Sequence, residues 1–245
     1  MPKIDIKSIF CLQNLSKICY TDCNKDFYHG GNMNYLDIIQ DREIVAILGQ
    51  IDILKQADCK YFGILHTLST IEFAKQLSKC FDLTDEEENL LLIACALHNI
   101  GHLNGKNLHA QTGAEMAKVY LTKHGMDIKD VNIIGNAISS HLGRRNDNFY
   151  DSVSACLILA DKMDFGSTRI KPNFEEMSFE DEVLRHITKV NVSRTGDVVE
   201  LMLGGIDVDW KVFVQSSAYA KLYRCFETVC KKYNYSFVVR VKKVN

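Results

Sequence analysis

The chain has 245 residues, 47% of them hydrophobic and 24% charged, with a formal net charge of -2. This is ordinary globular composition for one large domain or a domain with an appendage. It excludes a disordered chain and a whole-molecule electrostatic binder of nucleic acid. No apolar run approaches the roughly 20 residues that cross a bilayer, and the opening MPKIDIKSIFCLQNL lacks the apolar centre of a signal peptide. The nine cysteines are scattered. They read as reduced thiols of a cytoplasmic protein, used as small core residues. Cys19 and Cys23 have no second pair at zinc-finger spacing. Only Pro2 and Pro172 interrupt the chain, which suits a mainly helical fold.

In chain order, Ser8 opens a short helix running to about Cys19, followed by the polar loop TDCNKDFYHGG, which contains His29. Residues 1–31 thus read as an N-terminal extension. From Met33, apolar residues Leu36, Ile39, Ile44, Leu48, Ile51 and Leu54 recur at helical spacing, with a restart at Asp41. A second helix is expected over Tyr61 to Phe81, with His66 at the head of its apolar face. Thr84 with Glu87 forms a capping-box pattern, and the acids Asp85 to Glu88 sit where a helix N-terminus favours negative charge. The helix they start is apolar all round from Leu90 to Leu97, as a central buried helix would be. It runs into His98-Asn99-Ile100-Gly101-His102. A further helix begins near His109 and ends at Gly125. Ile133, Ile134, Ala137, Ile138 and His141 share the face of the next. Val153, Leu157, Ala160, Asp161 and Asp164 share the face of another.

Beyond Pro172 the texture changes. Val190 and Val192 alternate, Thr195-Gly196-Asp197 makes a turn, and Val199, Leu201 and Leu203 alternate in turn, which reads as a hairpin. Tyr219, Leu222, Phe226, Val229 and Tyr233 form a helical stripe. Phe237, Val239 and Val241 form a last strand. The expected organisation is a helical domain over 32–172 and a small ββαβ subdomain over 173–245, built as an antiparallel sheet with one helix on its face.

Five helical segments therefore end an apolar face on a polar group: His66, His98, His109, His141 and Asp161. One buried histidine is unremarkable in a core. Five are costly unless they share a partner. A metal ion between helices satisfies them together. Imidazole with carboxylate suits Fe, Mn, Co, Ni or Zn better than Ca, and Mg would want more oxygen.

His66, then LLIACAL leading into His98-Asn99 and Ile100-Gly101, then Asp161 within LILADKMD, resemble the HD superfamily of metal-dependent phosphohydrolases. The superfamily's signature is a distant His, an adjacent His-Asp pair and a distant Asp. LHAQTGAEMA around His109 and AISSHLGRR around His141 resemble the subgroup with two further histidines and a two-metal centre. Bacterial dinucleoside tetraphosphate hydrolases and cyclic-dinucleotide phosphodiesterases lie near that subgroup. The resemblance spans about Asn34 to Arg169 and implies an HD-type helical bundle carrying the small C-terminal α+β appendage.

It also implies roles for single residues. His66, His98, Asp161 and, as a fourth ligand, Asn99 would hold one divalent ion. His109 and His141 would hold a second. The cofactor is then one or two ions of Fe, Mn, Co, Ni, Zn or Mg. His102 stands where many members have lysine and would contact phosphate or move a proton. Arg144, Arg145 and Arg169 are candidate clamps on substrate phosphate. The expected activity is hydrolysis of a small phosphorylated substrate, a nucleotide, by metal-activated water.

Asn99 departs from the pattern. The family's aspartate offers two anionic oxygens; an amide offers one neutral oxygen and a nitrogen that does not ligate. One metal or a weak pair is one consequence. A catalytically impaired nucleotide-binding or regulatory module is another, and a deliberately silenced variant is a third. From Lys211 onward the cations Lys211, Lys221, Arg224, Lys231, Lys232, Arg240, Lys242 and Lys243 face only Glu227. A solvated helix face and a charged edge strand account for them, in preference to a face for nucleic acid.

Overall fold

The structure is a computed structural model, and it describes residues 33–144, 149 and 151–243. The helix from Ser8, the loop with His29, and Arg145 lie outside the described residues. Helices α1 (Tyr35–Gln40) and α2 (Arg42–Leu54) are separated at Asp41, whose carboxylate caps the second by accepting from Glu43 and Ile44 N–H. Helix α3 (Ile64–Cys80) starts three residues later than its periodicity suggests. The reason lies in α2, where the Asp52 carboxylate accepts the N–H groups of Gly63 and Ile64 at 2.9 and 3.1 Å. Tyr61 is drawn away instead, its N–H donating to the Arg169 carbonyl.

Helix α4 (Asp85–Leu97) opens on the capping box expected of Thr84 and Glu87, and every residue from Leu90 to Leu97 is buried. It packs against α1, α3, α6 (Ile128–Ser140) and α7 (Ser152–Met163), so it is the central helix of the bundle. A 3-10 turn over Ile100–Asn104 carries the chain from α4 into α5 (His109–Lys123), which packs on both that turn and α6.

After the short helix α8 (Phe179–Leu184), which Ser178 caps within the acidic stretch, come strands β1 (Ile187–Thr195) and β2 (Val198–Gly205). They pair antiparallel about Gly196, which takes a positive φ of 56° in the tight turn. Val199, Leu201 and Leu203 face inward. Helices α9 (Trp210–Gln215) and α10 (Ser217–Lys232) lead to β3 (Ser236–Lys243).

The C-terminal unit also departs from the expected ββαβ arrangement. A second helix, α9, precedes the long one. The sheet is mixed and not antiparallel: its order is β1-β2-β3, and β3 runs parallel to β2. Helix length explains the direction. At about 1.5 Å per residue, α10 covers roughly the length of β2 and returns the chain to its starting end. The next strand therefore runs alongside β2 in the same sense, as in a β-α-β crossover. Helix α10 buries Leu222, Cys225, Phe226, Val229 and Cys230, and it also packs on α7. β1 is tied to α3 by Val192 N–H donating to Gln76. The fold is mainly α, a helical bundle with a small α+β unit at its C-terminal end. No helix among the described residues is long and apolar enough to cross a membrane.

Candidate metal centre

Helix ends bring the polar groups together. His66 lies in the first turn of α3, His98 and His141 are the C-terminal caps of α4 and α6, His109 begins α5, and Asp161 lies in the last turn of α7. His66 and His98 are fully buried.

Three donor atoms face one point. His66 Nε2 is 3.0 Å from His98 Nε2 and 3.2 Å from Asp161 Oδ1, and His98 Nε2 is 3.9 Å from that oxygen. A triangle with sides 3.0, 3.2 and 3.9 Å has a circumradius of about 2.0 Å, which matches metal–imidazole bonds of roughly 2.0–2.1 Å. Among the described residues this is the group of His, Cys, Asp or Glu donors drawn within 4.8 Å of one another.

The histidines on these helix ends are oriented by their other nitrogens. Nδ1 of His98 lies 2.7 Å from the Cys95 carbonyl, that of His109 2.7 Å from Lys106, and that of His141 2.6 Å from Ile138. A carbonyl only accepts, so each Nδ1 carries the proton and each Nε2 is a bare lone pair. In all three cases the acceptor is three residues back. For His98 and His141 it lies in the last turn of the helix, and the Ile138 carbonyl also accepts the His141 backbone N–H. His66 is held differently: its Nδ1 is 2.7 Å from Asp164 Oδ2. With Nδ1–H donating there, the Nε2 lone pairs of His66 and His98 oppose each other at 3.0 Å. They repel unless a cation lies between them. The residues present fit a divalent ion.

Electrostatics agree. Burial drives the pKa of His98 well below the ordinary histidine value, lowers that of His109 and brings that of His141 down to about 3. Burial alone would raise the Asp161 carboxyl, but the Lys162 ammonium and His66 hold it well below the usual carboxylate range. Burial thus favours neutral imidazoles at His98, His109 and His141, and the ionised carboxylate at Asp161 is held by its cationic neighbour, the forms a metal takes.

His102 stacks on His109 with ring centres 3.9 Å apart, and its edge meets Phe62. It is buried, and its Nδ1 has no hydrogen-bond partner. Burial and the neighbouring His109 push its pKa far down. Gly101 permits this stack: a Cβ there would fall 2.1 Å from the His109 carbonyl oxygen and 2.4 Å from Gly113 N. His141 packs edge-on between His98 and His109.

Asn99 is buried, and its Nδ2 donates to the Phe62 carbonyl at 3.0 Å. Only a nitrogen can face that oxygen, so the bond fixes which way the amide points. Arg169 is placed inside the protein, with its side chain 12% exposed. Its guanidinium lies over the Phe62 ring and 3.6 Å from Asp164 Oδ2, and its buried Nη1 has no hydrogen bond. Arg144 is exposed just past Gly143.

Two further residues belong to the site. Asp164, fully buried in its side chain, also accepts from Thr168 at 2.8 Å and so fixes the tautomer of His66. Its spacing from Asp161, one helical turn, is the signal in the sequence that marks it. The Lys162 ammonium bonds Asp161 Oδ2 and, at 3.2 Å, the His141 carbonyl. Its neighbour in the chain points to the centre, and nothing in the spacing marks Lys162 as doing the same.

A family model described as the HD domain matches residues 63–187. The crystal structure of a predicted HD superfamily hydrolase from an uncultured Thermotogales bacterium is 28% identical over 51% of this chain and 68% of that chain, with a TM-score of 0.40. No curated protein matches the chain.

Proposed function

We infer the function from one premise: the chain belongs to the HD domain family of metal-dependent phosphohydrolases. The substrate is a phosphate ester or anhydride of a nucleotide, and water is the nucleophile. The observation that carries this reading is the approach of His66 Nε2 and His98 Nε2 to 3.0 Å beside Asp161 Oδ1. His66, His98 and Asp161 would hold the ion, and Asp164 would keep His66 in its ligating tautomer. A divalent ion there supplies Lewis-acid polarisation of a phosphoryl oxygen and lowers the pKa of a water. His102 holds or moves a proton at Nδ1, the atom left without a partner. The six cysteines among the described residues are free thiols, which supports a reducing, cytoplasmic setting.

A second reading rests on Asn99. With its amide committed to Phe62, the chain would bind a nucleotide at this centre as a regulatory module without turning it over. One panel separates the two. Wild type and His98→Ala are assayed on dinucleoside tetraphosphates, cyclic dinucleotides, mononucleotides and a generic phosphoester, each with added Mn, Fe, Co, Ni, Zn or Mg. Hydrolysis by wild type that the variant lacks supports the enzyme. Nucleotide binding with no hydrolysis under any metal replaces it with the binding module.

A further inference from the structure

We propose that this centre takes a single divalent ion and that the Lys162 ammonium serves as its second positive charge. The inference rests on the metal-site reading above and deepens it. A pair of ions needs bridging carboxylate oxygens, and the two places that would provide them are both closed. At position 99 the side chain is a neutral amide whose nitrogen is fixed on the Phe62 carbonyl. At Asp161, Oδ1 faces His66 and His98, while Oδ2 is taken by Lys162.

The same ammonium bonds the carbonyl of His141, so a fixed cation already stands between Asp161 and that histidine. Its side chain is only 11% exposed, in a setting where charges are weakly screened. A second divalent ion beside it would meet a like charge, with Asp161 the only carboxylate in the donor group. Two of the three ammonium protons are used in these bonds. The third is free to meet a phosphoryl oxygen held at the centre. Lys162 thus supplies, without a metal, the charge that a second ion would place against the substrate phosphate.

The test counts ions and does not depend on turnover. Metal-stripped full-length protein is titrated with Mn(II). Bound metal is measured by elemental analysis, and electron paramagnetic resonance distinguishes an isolated ion from a spin-coupled pair. Wild type is expected to bind about one ion per chain with an isolated-ion spectrum. The double variant Asn99→Asp/Lys162→Ser is expected to bind about two, with a coupled spectrum. Two ions in wild type overturn the inference and leave the functional reading standing. One ion in both proteins also overturns it, because Asn99 and Lys162 would then not be what excludes the second. No ion in folded wild type overturns the functional reading and this inference with it.

Discussion

Asp164 offers the sharpest perturbation, because it touches the centre only through another side chain. Its Oδ2 accepts the Nδ1 proton of His66 at 2.7 Å and lies 3.6 Å from Arg169, while Oδ1 accepts from Thr168 at 2.8 Å. Asp164→Ala frees His66 to rotate or to change tautomer. Losing such an outer partner costs about 10- to 100-fold in metal affinity, or about 1.4 to 2.8 kcal/mol. It also strands a guanidinium that is 12% exposed, and uncompensated buried charges cost about 3 to 5 kcal/mol. Asp164→Asn keeps the shape and an acceptor for His66, so it should fall at the mild end of both ranges. Affinity is read by competition with a chelator, and stability by chemical denaturation of the metal-free protein. Wild-type affinity in folded Asp164→Ala would refute the claim that Asp164 sets the ligating form of His66.

Gly101→Ala should cost about 1 to 3 kcal/mol or more, since the new methyl would meet backbone atoms of His109 and Gly113; denaturation together with the histidine NMR signals would show both the loss and the displaced ring. Thr84→Ala removes the N-cap of α4 and should cost about 1 kcal/mol while leaving metal affinity unchanged. The metal-free protein should lose stability as pH falls. Burial holds His141 near 3 and His98 and His102 below the ordinary histidine value. Between about pH 6.5 and 3 the unfolded chain binds protons that the folded chain refuses, at up to about 1.4 kcal/mol per pH unit for each histidine. The depressed Asp161 adds to the same trend at lower pH, where protonation removes its contribution. A metal-free protein equally stable at pH 7 and pH 4.5 would contradict this.

The bundle was legible because its signals are local. The capping box at Thr84, the all-round apolar run to Leu97 and the break at Asp41 each fix one element without help from the rest. The direction of β3 was not legible, because alternation of Phe237, Val239 and Val241 is the same in either sense; only the length of α10 against the sheet sets it. At the centre, the donors stand out as polar groups ending apolar faces. What orients them does not. Cys95, Lys106 and Ile138 act through carbonyls that every residue has, and Asn99 reaches a backbone oxygen of Phe62, 37 positions away. The fold sets Arg169, a candidate clamp on substrate, over Phe62 and beside Asp164, neither of which its charge alone indicates.

The central claim is that His66, His98 and Asp161 hold a metal. Anomalous diffraction recorded at the absorption edge of the metal, from crystals of Mn- or Zn-loaded protein, tests it directly. A peak about 2.0 to 2.3 Å from His66 Nε2, His98 Nε2 and Asp161 Oδ1 is the expected result. Density without an anomalous peak there, or a peak held by other residues with these three left free, would contradict it.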